Sequence, residues 1–349
     1  GRLDEANTIL NSVINEKPIP NAYLLRAGIA LERGDVDLAS SDIEAAANLN
    51  ASLQEILTAR ALHAFTEGRL DRAYGLFDEC VTRTENVADA IVNRGLIRML
   101  QGRIDEGWDD YDMRHKRRWD RPVKRSFPYP AWTGENLKKK TLLLWGEQGL
   151  GESILCGSLM HCVVREAGRI ILECDPRLLT LFQRSFPDIQ VVARSNPPQE
   201  IIQAENIHYS SSNLNLLRYR CTDLSQPIHT TGYLKADQKF AHKLRHQYQS
   251  EIGRKPLVGL CWDSPKAANA RVKAIDPAAW TPLFKVPDVA FVNLQYGEDR
   301  DALSEHAKSY GAVFITDPEI DQDGDLDNLT SQIAALDLVI TVSTTVAHL

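Results

Sequence analysis

Paired cysteines are missing from this chain: its six cysteines, at 80, 156, 162, 174, 221 and 261, include no Cys-x-x-Cys spacing. Such scatter suits a reducing compartment and removes the usual ligand pattern of a structural zinc. No apolar run approaches the eighteen or so residues of a membrane span, and no signal peptide opens the sequence. Positive charge is not in excess either. With 40 Lys and Arg against 47 Asp and Glu, the formal net charge is -7, which argues against nucleic acid as the main partner. What is left is the profile of an ordinary soluble protein, 43% hydrophobic and 25% charged, and its 349 residues fit two or three domains better than one core. A cytoplasmic location and no structural zinc are therefore expected.

The first third repeats. Gly1-Arg-Leu-Asp-Glu-Ala6, Gly34-Asp-Val-Asp-Leu-Ala39, Gly68-Arg-Leu-Asp-Arg-Ala73 and Gly102-Arg-Ile-Asp-Glu-Gly107 recur at intervals of 33, 34 and 34 residues. That is the tetratricopeptide period, in which two antiparallel helices pack through small residues and each glycine marks the turn between them. Ala27, Ala39 and Ala46 fall where the second repeat needs them, and Ala61 and Ala73 match in the third. Stacked pairs of this kind build a superhelix whose concave face grips a peptide or protein. A repeat array that only braces the next domain is the alternative. Gly1 falls at a turn, so a leading helix is expected to precede it.

Aromatic and basic residues crowd the segment that follows, with Trp108, Tyr111, Trp119, Phe127, Tyr129 and Trp132 among Lys116, Arg117, Arg118, Arg121, Lys124 and Arg125. Interleaving of this kind can mark a single-stranded nucleic-acid surface. The acidic whole favours aromatics that dock the last repeat helix on the next domain, with the cations solvated.

From Thr141 the chain reads Thr-Leu-Leu-Leu-Trp-Gly-Glu-Gln-Gly-Leu-Gly-Glu-Ser153, a buried parallel strand, a glycine loop and a helix start. The glycines copy the spacing of a phosphate-binding P-loop, but Glu152 stands where that motif has lysine and would repel phosphate. A plain turn joining strand to helix is the other reading. Apolar runs then alternate with amphipathic stretches: strands are expected at Leu142 to Trp145, Arg169 to Glu173, Ile189 to Val192, Leu257 to Trp262, Ala290 to Leu294, Ala312 to Ile315 and Leu336 to Thr341. A polar helix from Ala236 to Ile252, closed by Pro256, reads as the hinge between two such sheets. Loops at the strand ends of both sheets then project into one cleft.

Four segments together, Leu142-Leu-Leu-Trp-Gly-Glu-Gln-Gly-Leu-Gly151, Gly259-Leu-Cys-Trp262, Asn293-Leu-Gln295 and Leu336-Asp-Leu-Val-Ile-Thr-Val-Ser-Thr-Thr-Val-Ala-His-Leu349, carry a resemblance. With Gly107-Trp108-x-x-Tyr111-x-x-Arg114 and Trp132-x-Gly134 before them, they resemble bacterial tetratricopeptide proteins that bear a heptosyltransferase-like domain of glycosyltransferase family 9. The resemblance implies an α + α/β fold: repeats over 1–114, an aromatic and basic connector over 115–138, and a GT-B-like pair of Rossmann-type domains over 139–252 and 253–349. The first of the pair would take the acceptor. The second would hold a nucleotide-activated sugar, and its sheet would need further residues beyond Leu349 to close.

In such relatives an Asp after the last loop glycine is the proposed base, and Glu152 occupies that position; a helix N-terminal carboxylate offsetting the helix dipole is the alternative. Gln148, Gly149 and Gly151 would form the acceptor-side loop. Arg271 and Lys273 loosely match a basic position that contacts donor phosphate, although either could be a solvated loop cation. Gln295, Ser343, Thr344, Thr345 and His348 would complete the donor side, with hydroxyls and free amides at a helix start suited to phosphate or sugar. Ser343 departs from the family's Asp. His348 matches the family residue and could otherwise be a packed helix residue. The resemblance implies no metal and no cofactor, and as partners a nucleotide sugar, which is the donor substrate, and a protein acceptor on the repeats, flagellin-like or another surface protein. A lipid-linked or polysaccharide acceptor, a scaffold that has lost catalysis, and a nucleotide hydrolase using the 146–153 loop stand beside that reading.

Overall fold

The computed structural model describes residues 2–117, 125–203, 206–221, 232–264, 274–297 and 301–349. It divides into two compact units, Gly1–Lys124 and Arg125–Leu349.

The first unit is helical: α1 (Arg2–Glu16), α2 (Pro20–Glu32), α3 (Val36–Asn48), α4 (Leu53–Thr66), α5 (Leu70–Arg83), α6 (Ala88–Leu100) and α7 (Ile104–Tyr111). Three hairpins, α2/α3, α4/α5 and α6/α7, close on one turn used three times. Gly34, Gly68 and Gly102 take φ of 75°, 74° and 81°, a region costly for a residue with a Cβ. The amide after each glycine bonds a carbonyl five residues back, Asp35 to Ala30, Arg69 to Ala64 and Arg103 to Arg98, at 2.9, 2.9 and 2.8 Å. This closure satisfies carbonyls that a helix end leaves open. Small residues set the packing: Ala27, Ala39 and Ala46 are buried with Ile43 and Ile56, and Ala61, Ala73 and Ala64 with Phe77 and Leu57.

Charge also repeats. Arg26, Arg60 and Arg94 lie one to a hairpin, on α2, α4 and α6. Arg26 forks onto Asp42 at 2.8 and 2.7 Å, Arg94 onto Asp110 at 2.8 and 2.7 Å, and Arg60 takes Glu44 at 2.8 Å. Asp110 also accepts from Arg98 at 2.8 Å, so one buried carboxylate holds two guanidinium groups.

The second unit holds two four-stranded, wholly parallel sheets. The first comprises β1 (Thr141–Trp145), β2 (Arg169–Cys174), β3 (Gln190–Ala193) and β4 (Tyr209–Ser212), in the order β3-β2-β1-β4. The second comprises β5 (Leu257–Cys261), β6 (Ala290–Asn293), β7 (Val313–Ile315) and β8 (Leu338–Thr341), in the order β7-β6-β5-β8. Each sheet thus starts in the middle, winds outward one way, then returns to the far side of its first strand. β1 is apolar from Leu142 to Trp145 because both its faces are covered. Leu142 and Leu144 pack with Ile154, Leu159 and Met160, while Leu143 packs on the opposite face with Ile171, Val192 and Ile202.

Among the described residues, seven of the eight strands fall where the apolar runs predict them. The eighth, β4, has the polar sequence Tyr-Ser-Ser-Ser and is held by β1 on one side and by a bridge from Ala131 to Ser210 on the other. Residues 125–138, expected as part of the connector, pack within this second unit. Phe127 and Tyr129 lie on the Leu143 face, the Tyr129 hydroxyl donates to the Ile202 carbonyl at 2.6 Å, and buried Trp132 donates to the Glu135 carbonyl at 3.0 Å.

Helices α8 (Leu150–Gly157), α9 (Met160–Glu166), α10 (Leu179–Ser185) and α11 (Asn215–Arg220) belong to the first sheet. The expected hinge helix is α12 (Gln238–Ile252), capped by Asp237 and ended at Gly253 with φ 78°. Helices α13 (Thr281–Phe284), α14 (Ala302–Ser309) and α15 (Leu326–Ala334) follow with the second sheet. The two lobes share one apolar cluster, in which Leu326, Leu329, Val346, Cys261 and Leu294 join the core of the first sheet. Arg184 of α10 also forks onto Asp327 of α15, with both bonds at 2.6 Å.

Candidate functional site

In each sheet the winding direction reverses beside the first strand, between β1 and β4 and between β5 and β8. In open parallel sheets, the carboxyl ends of the strands at such a reversal are where ligands bind, because diverging loops leave a crevice there. The glycine loop leaves β1 at this point in the first sheet, and the Ser343 to His348 segment leaves β8 at this point in the second. These two segments meet. A Cβ placed on Gly151 would lie 2.9 Å from His348 Cδ2 and 3.3 Å from Nε2, so the imidazole rests against the glycine. Glycine allows that approach, and residues almost two hundred positions apart come into contact.

On the first-sheet side, Gly149 is the N-cap of α8 and Glu152 its third residue. The exposed Glu152 carboxylate folds back over Gly149, where an added Cβ would be 2.7 Å from Oε2. This is the position from which a glutamate serves a helix start. Ser153 Oγ donates to the Gly149 carbonyl at 3.0 Å, and Gln148 is half-buried beside it. Beneath the loop lies Cys156, whose thiol is pushed up to about 12 by burial first, and then by Glu152 and Glu147. That burial favours the neutral thiol over the thiolate.

On the second-sheet side, Ser343 and His348 are exposed and Thr345 is half-buried. Thr344 turns inward: it is buried, and its hydroxyl accepts from the Val346 amide at 3.2 Å and lies 3.3 Å from Thr341 Oγ1. Gln295 is 1% exposed. Its Oε1 accepts from the Trp262 and Asp263 amides, both at 3.0 Å, and its Nε2 donates to the Asp263 and Tyr296 carbonyls at 3.2 and 2.9 Å. The amide therefore ties the loops after β5 and β6 together. Arg271 and Lys273 lie outside the described residues.

Sequence spacing gives no sign of a charged group below the glycine loop. Arg194, just past β3, donates from Nη2 to the Gly146 carbonyl at 3.0 Å. Glu173, fully buried at the end of β2, is gripped by both Nε and Nη2 of Arg125. Burial raises the Glu173 carboxyl, and Arg125 and Arg194 oppose that rise. Among the described residues no group of three or more His, Cys, Asp or Glu could hold a metal ion, and no helix is long and apolar enough to cross a membrane.

No protein-family model matches the chain. FlbA of Caulobacter vibrioides is 28% identical over 343 residues, which is 94% of this chain and 52% of that protein, so the chain spans about half the length of this curated relative. Among solved structures, a glycosyl transferase family 9 from Veillonella parvula DSM 2008 has a TM-score of 0.41 at 11% identity, covering 60% of this chain and 77% of that one. A mutant O-GlcNAc transferase of Thermobaculum terrenum has a TM-score of 0.34 at 11% identity, covering 97% and 74%. At those scores the fold description rests on the strand orders and registers above.

Proposed function

We propose that the chain is the tetratricopeptide and GT-B portion of a glycosyltransferase that moves a sugar from a nucleotide-sugar donor to an acceptor hydroxyl. The observation that carries this reading is the contact of Gly151 with His348, which joins the loops at the reversal points of two like-ordered parallel sheets. In this account Glu152 takes the acceptor proton as the acceptor oxygen attacks the anomeric carbon and the bond to diphosphate breaks. Ser343, Thr345 and His348 stabilise the departing diphosphate with hydroxyl and imidazole donors. Arg271 and Lys273 supply positive charge. Gln148, Gly149 and Gly151 form the acceptor-side lip, and Thr344 and Gln295, both turned inward, shape the donor loops from beneath. The scheme calls for no metal. The helical repeats recruit the acceptor, a protein with a Ser or Thr hydroxyl, in the cytoplasm.

One observation favours a second reading, a binding scaffold with this fold and no catalysis. Glu152 lies folded over Gly149 at the start of α8, where it can offset the helix dipole, and Ser343 cannot act as a carboxylate. A screen of nucleotide sugars against the protein at its full natural length separates the two. Transfer or donor hydrolysis that Glu152→Gln lowers by two or more orders of magnitude supports the enzyme, on the scale expected for a lost base. Donor binding without turnover, unchanged by Glu152→Gln, supports the scaffold. Turnover of ATP or GTP in place of a nucleotide sugar would point to a hydrolase.

A further inference from the structure

The glycine loop is pinned at its far end by His348 and at its near end by a cation that the proposed chemistry does not use. Arg194 makes one side-chain hydrogen bond among the described residues, to the Gly146 carbonyl at 3.0 Å, and its Nε is buried without a partner. Holding a half-buried guanidinium, its Nε shut off from solvent, on a single bond is unfavourable on its own terms, so its placement has to be explained by what surrounds it. Two carboxylates whose charge it feels, Glu173 and Asp175, stand at the end of β2. Asp175 is occupied by Arg177, with bonds to its Nε and Nη2 at 3.0 and 3.1 Å. Glu173 is fixed by Arg125, which also donates to the Ser195 carbonyl at 3.1 Å, one residue past Arg194. Backbone bonds close the ring: the Gly146 amide donates to the Glu173 carbonyl at 3.0 Å, and the Arg194 amide to the Cys174 carbonyl at 2.7 Å. Gly146 leaves room for this contact, since a Cβ there would stand 2.9 Å from Arg194 Nη2 and displace the guanidinium.

We infer that Arg194 is the positioning residue of the glycine loop and that the buried Arg125–Glu173 pair is the seat that holds its charge in place. The inference rests on the proposed role of that loop as the acceptor-side lip. Arg194 fixes where the Gly146 carbonyl sits, and so where Gln148 and Glu152 are presented. Arg125 is the first residue of the α/β unit, so the seat is built by the chain as it enters the fold.

Amide exchange of the whole chain tests this without any transferase assay. In Arg194→Met, exchange over residues 146–153 should rise by roughly tenfold, as for directly coupled neighbours. The segments 257–264 and 338–342 should keep their rates, and Arg194→Lys should recover most of the protection. Arg125→Met should loosen the same loop, and Arg125→Met with Arg194→Met should add little to either alone. If Arg125→Met does not fold, pairing it with Glu173→Gln removes both charges and should still loosen the loop. Unchanged loop exchange in Arg194→Met, or a uniform rise across the first sheet, would overturn the inference. In a protein found to be active, Arg194→Met should lower kcat with little change in donor KM. Absence of transfer by the unsubstituted protein counts against the proposed function, while the exchange result still decides this one.

Discussion

Alanine at Gly95 or Gly107 should destabilise the α6/α7 hairpin, whereas the same change at Gly28 or Gly75 should stabilise its helix. All four glycines lie inside helices, where alanine gains about 0.8–1.0 kcal/mol over glycine. A Cβ on Gly28 or Gly75 would meet nothing within 4 Å, so that gain stands unopposed. On Gly95 it would lie 2.8 Å from the Gly107 carbonyl oxygen and 2.8 Å from Asp110 Cβ; on Gly107 it would lie 2.9 Å from the Gly95 carbonyl oxygen and 2.5 Å from Met99 Cγ. Carbonyl oxygens cannot rotate away, so the helices must part by a few tenths of an ångström, an overpacking cost of about 1–3 kcal/mol. The Gly95 change also pushes on Asp110, which holds Arg94 and Arg98, so the upper half of that range applies. The expected net is a loss of about 1–2 kcal/mol for Gly95→Ala and a gain of up to about 1 kcal/mol for Gly28→Ala. Urea denaturation of the whole chain, read through amide exchange over residues 88–111 and 20–32, measures both. Four changes of the same sign would refute the packing argument.

Asp110→Ala leaves two arginines without their buried carboxylate and should cost the repeat unit about 3–5 kcal/mol in the same experiment. Gly151→Ala should alter stability by less than about 1 kcal/mol, since the exposed His348 ring can swing aside, yet lower transfer by about two orders of magnitude through misplacement. A shift in melting temperature without a change in transfer would contradict it. Asp337 titrates below the ordinary aspartate value because the Leu257 amide, and then Arg245, bond its carboxylate. Its contribution is therefore complete above the unfolded value near 3.8 and is lost as pH falls through the lower folded one. The side chain is 41% exposed, so Asp337→Asn should remove less than about 1 kcal/mol of acid-limb slope in pH-dependent unfolding.

The helical repeats were legible because one backbone need, a left-handed turn, selects glycine every 34 residues at Gly34, Gly68 and Gly102. Most strands were legible because a parallel strand covered on both faces must be apolar. Tyr209–Ser212 broke that rule, being a strand by virtue of its neighbours on both edges, and no local pattern records neighbours. Aromatic residues such as Phe127 and Trp132 announce burial but not the surface they bury against, so residues 125–138 read as connector and fold as part of the α/β unit. Within the candidate site, spacing marked the glycine loop and the family resemblance marked the Ser343 to His348 segment, but neither says what each side chain does there. Gln295 lies in the right motif and spends its amide inward. Arg194 lies in no motif and reaches the glycine loop from the edge strand β3, across the end of β2.

Hydrogen exchange of the full-length protein, with and without a panel of nucleoside diphosphates and their sugars, tests the central claim most directly. If the loop after β1 and the segment after β8 form one donor and acceptor site, a bound nucleotide sugar should protect residues 341–349 and 146–153 together. Protection of the helical repeats alone, or of either segment without the other, would contradict it.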